Sequence, residues 1–319
     1  MDFFPIFMKM VELFLIIVIG YVATKLNVMN PVIKTSLTKV ILNIALPCTI
    51  LASVMTTTNM PNNKEIFLSL GISFLSYGVF FVLSKIIPPL LRLKGRARAA
   101  AEFGIIFANV GFIGYPVTQA IFGMDCTFVT CLFNMPFNLI CYSYGVYILE
   151  KANISSTSDS KNSSSSFSGK ELAKLIINPA LVASIICITM ALLKISGPKF
   201  IGETLSTVGS ITTPGALLII GSALAQMKFT EMFNNIPSYL VSISCVVLTP
   251  LVIYGILFSF LQNYPLILGE AVIISAMPVA TSGTMLCVEH GGDETFMAQI
   301  TFLSTLLSII TIPLIATIL

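Results

Sequence analysis

Apolar residues run along this chain in long continuous blocks separated by short polar stretches. Ten blocks can be drawn, at 4–26, 32–57, 65–89, 99–123, 126–149, 171–194, 201–226, 235–261, 266–289 and 294–319. A helix needs about 20 apolar residues to cross a bilayer core. Backbone in hydrocarbon must satisfy its own hydrogen bonds, so only helices and closed barrels span it. The blocks are unbroken rather than alternating, which selects helices over strands. The pattern therefore predicts an all-α integral membrane protein with ten transmembrane helices. The first block lacks a basic n-region and a small-residue cleavage site, and Lys9 and Glu12 interrupt it. It reads as a membrane helix and not as a signal peptide.

Composition sharpens this reading. The 319 residues are 56% hydrophobic and 10% charged, with a mean hydropathy of +0.96. A soluble domain carries roughly 25% charged residues, so the lipid bilayer is the main partner of this surface. The net charge of +3 carries no nucleic-acid signal. Thirteen of the 17 basic residues fall in or beside the loops after blocks 1, 3, 5, 7 and 9. By the positive-inside rule those loops face the cytoplasm, and ten spans leave both termini extracytoplasmic. The expected location is a plasma membrane, crossed many times.

The Ser-rich stretch 151–170, KANISSTSDSKNSSSSFSGK, reads as a cytoplasmic linker. It separates a first five-helix repeat, 1–150, from a second, 171–319. DCTF at 125–128 recurs as DETF at 293–296, an offset of 168. Gly123 and Gly291, and Glu102 and Glu270, stand at the same offset. An odd number of spans per half makes the second half enter from the opposite side. That is the arithmetic of two inverted five-helix repeats, a common plan of secondary transporters.

Four blocks carry helix breakers near their centres. Block 2 holds Asn43 and Pro47; block 4 holds Asn109, Gly111, Gly114 and Pro116. Block 7 holds Thr213, Pro214 and Gly215; block 9 holds Pro278, Thr281, Ser282 and Gly283. An interior proline removes one donor and clashes with the carbonyl four residues back, costing about 3 kcal/mol or more. Backbone freed at membrane depth must be satisfied by protein, or by water or ligand in a cavity. Blocks 4 and 9 concentrate breakers with polar side chains and are expected to unwind as broken crossover helices. Half-helix N-termini there would offer free amides and partial positive charge to an anion. Asn109 adds an amide donor, and Thr281 and Ser282 add hydroxyls. The substrate-binding candidates are Asn109, Gly111, Gly114, Pro116, Pro278, Thr281, Ser282, Gly283, Asn43 and Thr213. Glu102 and Glu270 are expected near helix ends, at an interface or in ion pairs, with a proton-coupling role as the lesser alternative.

An enzyme is not indicated. The single histidine, His290, precedes two glycines at a predicted helix end, and no HExxH, P-loop or GxSxG motif occurs. The seven cysteines are scattered without a CxxC and read as small apolar residues, not as metal ligands. No cofactor is implied.

The stretches LNIALPCTIL, ANVGFIGYPVTQAIFG, TPGALLIIGSALA and AMPVATSGTMLCVEHGGDE, with FLSTLLSIITIPL near the end, resemble the auxin efflux carrier family of membrane transporters. The resemblance spans nearly the whole chain. It implies a place in the bile acid/arsenite/riboflavin transporter superfamily, elevator-like alternating access and small organic anions as substrates. Asn109 and Pro116 fit the family's first crossover and Pro278 its second. Gly283 stands where plant members have a second proline, and the linker is short, so the likeness is to bacterial permeases rather than plant exporters. The resemblance allows uniport, proton coupling or sodium coupling, and a homodimer. The expectation is a permease for a small organic anion, a carboxylate above all. The alternative is a non-transporting membrane receptor or regulatory protein on the same scaffold.

Overall fold

Proline placement explains much of how the helices are built. The computed structural model describes residues 3–56, 61–123, 126–156, 179–195, 197–226 and 235–319. In chain order the helices are α1 (Phe3–Lys25), α2 (Pro31–Thr56), α3 (Asn63–Leu90), α4 (Gly95–Ile106) and α5 (Val110–Phe122). Next comes α6, formed by Thr127–Ile140 and Val146–Ser156 across a π-turn at Cys141–Gly145. Then follow α7 (Pro179–Leu192), α8 (Lys199–Ala225), α9 (Ile236–Leu257), α10 (Pro265–Ser275), α11 (Ser282–His290) and α12 (Glu294–Ala316).

Three π-turns, Ile41–Ala45 in α2, Val110–Gly114 in α5 and Ser244–Leu248 in α9, each lead into a helical stretch whose second residue is proline. The prolines are Pro47, Pro116 and Pro250. The residue before each one bonds back five positions instead of four: Leu46 to Ile41, Tyr115 to Val110, Thr249 to Ser244. Widening the turn by one residue relieves the clash between the proline ring and the carbonyl behind it. These prolines therefore reshape a continuous helix and do not sever it.

Five of the described helices, α2, α3, α8, α9 and α12, are long and apolar enough to cross a membrane, and α5, α7, α10 and the first part of α6 are shorter apolar helices. Their outward faces are apolar as well; α3 alone leaves Phe67, Phe74, Leu75, Phe81 and Val82 exposed. Such a surface suits a lipid solvent. The helix at the start of the linker runs on to Ser156, so residues 151–156 extend α6 instead of leaving it. Residues 157–178, which include the rest of the linker and the start of the sixth block, lie outside the described residues.

Small residues let the helices approach closely, as in membrane bundles generally. A Cβ on Gly20 of α1 would stand 2.3 Å from the Leu218 carbonyl oxygen of α8. One on Gly221 of α8 would stand 2.0 Å from the Ile17 oxygen of α1. The contact is reciprocal, so α1 and the second half of α8 are locked backbone to backbone. Gly209 plays the same part against Thr49 of α2, whose hydroxyl donates to the Gly209 oxygen at 3.0 Å and lies 3.0 Å from the Thr212 hydroxyl.

Candidate functional site: the crossing of two broken helices

Blocks 4 and 9 are both interrupted, as their breakers predict. The chain leaves α4 at Phe107 and re-enters α5 at Val110; it leaves α10 at Ala276 and re-enters α11 at Ser282. The two unwound stretches meet as a short antiparallel bridge between Ala108 and Val279. Asn109 N–H donates to the Pro278 oxygen at 2.7 Å, and Ala280 N–H donates to the Phe107 oxygen at 2.9 Å. Val279 N–H, on the opposite edge, donates to the Ser304 hydroxyl of α12 at 3.0 Å. Each break thus satisfies amides and carbonyls that the other frees, which is what backbone buried without water requires. Proline suits position 278, because a lost amide there costs nothing while its carbonyl accepts from Asn109.

The breakers act differently from expectation in one respect. Gly111, Gly114 and Pro116 do not lie where the backbone opens. They shape the π-turn just after it, and the opening is at Phe107–Asn109. Gly283 follows its own break and is held to glycine by packing: a Cβ there would stand 2.7 Å from a Phe103 ring carbon and 2.9 Å from Met297 Sδ. Thr281 caps α11 by position without a side-chain hydrogen bond to its amides.

Asn109 is 2% exposed, and its Nδ2 is a buried donor without a hydrogen-bond partner. The Ser282 hydroxyl, on the other broken helix, is also buried, facing the Cys141 thiol. α5 and α11 both begin at the crossing, so their first-turn amides and positive dipole ends belong to the same region. Asn43 is not brought there. It lies on the π-turn of α2, exposed on the outer surface.

Thr213 belongs to a neighbouring cavity of about 250 Å³ between α2, α5, α6 and α8. Its polar wall comprises Thr49, Ser53, Gln119, Thr127, Ser206 and Ser210, with Tyr115 beside them. The Tyr115 hydroxyl is buried beside the side chains of Asn134 and Cys131. Tyr115 starts the turn after the crossing, so cavity and crossing share helix α5. Sequence reasoning missed these residues. The available signal was Tyr115 and Gln119, four apart and hence on one face of block 4.

The paired glutamates diverge. Glu102 of α4 is buried but held by Lys85 of α3 and by Arg98, whose Nε lies 2.9 Å from its Oε1. Glu270 of α10 is fully buried, because α3, α5, α6, α9 and α12 all pack around α10, and the described residues give it no ion pair. His290 ends α11, with Nδ1 2.8 Å from Glu150 Oε1 of α6, and Gly291 closes the helix at φ 75°. Among the described residues no group of three or more His, Cys, Asp or Glu side chains could hold a metal ion.

Two helices broken at one crossing, inside a bundle of apolar helices, define a membrane transporter of the broken-helix kind. The profile of the family described as membrane transport protein matches residues 5–316, and the chain belongs to that family, the auxin efflux carrier group its motifs resemble. It is also similar to an uncharacterized transporter of Methanothermobacter thermautotrophicus, 24% identical over 304 residues covering 94% of this chain and 93% of that one.

Proposed function

We propose that this transporter is a plasma-membrane permease for a small organic anion, a carboxylate above all, working by alternating access. The observation that carries the reading is the buried, unpartnered Nδ2 of Asn109 beside two half-helix N-termini. A donor left unpaired in a buried site costs roughly 1–3 kcal/mol. An anion's oxygen recovers that cost and gains from both helix dipoles. The hydroxyl-lined cavity next to Tyr115 carries no charged side chain, so it admits a carboxylate without trapping it in an ion pair.

The topology that goes with this reading has ten spans in two inverted repeats. Both termini are extracytoplasmic, and the linker is cytoplasmic. The equivalent positions of Glu102 and Glu270, seven residues before Asn109 and eight before Pro278 respectively, support it. Purified protein in liposomes should take up labelled mono- and dicarboxylates in a saturable way that empty liposomes do not. Absence of saturable uptake across such a set would remove the substrate class.

A further inference from the structure

Glu270 has a setting unlike that of its counterpart. Where Glu102 has two cations, the described residues give Glu270 none. Its Oε1 accepts from the Thr130 hydroxyl of α6 at 3.0 Å, and its Oε2 is buried without a partner. Thr130 lies 2.8 Å from the Thr118 hydroxyl of α5, and Thr118 reaches the Gly114 oxygen at 3.0 Å. A line of hydrogen bonds therefore runs from the carboxyl on one broken helix to the carbonyl that ends the π-turn on the other.

The helices packed around α10 supply little charge. α5 and α9 contain no Asp, Glu, Lys, Arg or His. α12 has only Glu294, in its first turn; α6 has Glu150 and Lys151, five turns beyond Thr130. On α3, Lys85 is committed to Glu102, and Lys64 and Glu65 lie in its first turn. The other titratable side chains on these helices are tyrosines and cysteines, among them Tyr77 of α3, Tyr115 of α5, Cys131 and Cys141 of α6, and Tyr239, Cys245 and Tyr254 of α9. Cys126, which precedes α6, is the titratable group facing this carboxyl among the described residues: its thiol lies against Glu270, and its backbone oxygen accepts from Thr130. Asp125 lies outside them.

We infer that Glu270 is a proton-binding site whose occupancy is relayed through Thr130 and Thr118 to the crossing. A carboxylate buried with no cation, and with only a hydroxyl and a thiol as donors, is strongly disfavoured, whereas the neutral acid leaves only one weak acceptor unpaired. The oxygens of Glu270, Thr130 and Thr118 already stand at hydrogen-bond separation, which leaves a proton, and no larger cation, room between them. The exchange balances. In the ionised form Thr130 donates to Glu270 Oε1 and Thr118 donates to Thr130. Adding one proton to Oε1 makes it the donor to Thr130. Thr130 then donates to Thr118, and Thr118 to the Gly114 oxygen. One proton enters, each hydroxyl keeps one, and the direction of the line reverses. The next residue, Gln119, donates to Thr127 at 2.9 Å, and both line the cavity. Proton occupancy and cavity shape thus meet on adjacent residues of α5.

The relay rests on the crossing as the transport site, but the proton site itself can be tested apart from it. Infrared difference spectra of the purified protein, stepped through near-neutral pH, should contain a protonated-carboxyl C=O band. That band should vanish in Glu270→Gln and shift in Thr130→Val, with both variants checked for wild-type thermal unfolding. Spectra without any Glu270-dependent band would overturn the proposal, whatever uptake assays give. In proteoliposomes, an imposed proton gradient should change wild-type uptake of a labelled carboxylate several-fold and leave Glu270→Gln at one rate. A Glu270→Gln protein that still responds several-fold would overturn the coupling. Failure of the crossing as substrate site would appear elsewhere, in Asn109 variants with normal uptake.

Discussion

Asn109 and Pro278 are 169 positions apart, yet the amide of one donates to the carbonyl of the other at 2.7 Å. With the Ala280–Phe107 bond it ties two broken helices into one crossing. A pair of backbone bonds does here what a helix turn does elsewhere, and it leaves side chains and helix ends free to meet a ligand.

The Ser304 hydroxyl holds this crossing from outside by accepting from Val279 N–H. Ser304→Ala leaves that buried amide unpaired. The expected loss is about 1–3 kcal/mol of stability, read as a lowered unfolding temperature in detergent. Ser304→Thr, which keeps the hydroxyl, should recover part of it. Equal stability of the alanine variant and the wild type would show that the bond contributes nothing.

The α1–α8 contact admits no side chain at Gly221, where a Cβ would meet the Ile17 backbone oxygen at 2.0 Å. Gly221→Leu should force the helices apart and lower the yield of folded protein, with a stability loss of several kcal/mol. Gly71 of α3, with open space around its Cβ direction, is the control and should tolerate alanine. Size-exclusion profiles and thermal melts distinguish the two.

The proposed inverted repeats make a sided prediction. Single cysteines replacing Lys94, just before α4, and Lys199, at the start of α8, should react with a membrane-impermeant thiol reagent from opposite sides of the membrane. The background should have Cys48 replaced, since the other six cysteines are buried. Labelling of both positions from one side would contradict the inverted arrangement.

Much of this was legible in the sequence, and the failures have physical causes. Apolar block length gave the helices, and clustered Gly, Pro and Asn gave the two broken ones. The points of opening were misplaced by a few residues because a proline after a π-turn and a proline in an unwound strand look alike in sequence; Pro116 is the first kind and Pro278 the second. Asn43 and Asn109 are the same residue type in similar apolar runs, and only packing shows that one faces outward and one inward. Ser304, Thr130 and Thr118 were invisible as partners because each acts on a residue 25 or more positions away, or through such a residue.

The two asparagines also give the most direct test. Uptake of labelled carboxylates should be measured in proteoliposomes holding wild type, Asn109→Ala or Asn43→Ala at matched protein content. Losing a hydrogen bond to a charged ligand costs about 1.5–3 kcal/mol, a factor of roughly ten to a hundred in affinity. Asn109→Ala should therefore lose at least about tenfold in uptake at low substrate, while Asn43→Ala retains wild-type uptake. Wild-type uptake by a folded Asn109→Ala protein would contradict the crossing as the place where the anion binds.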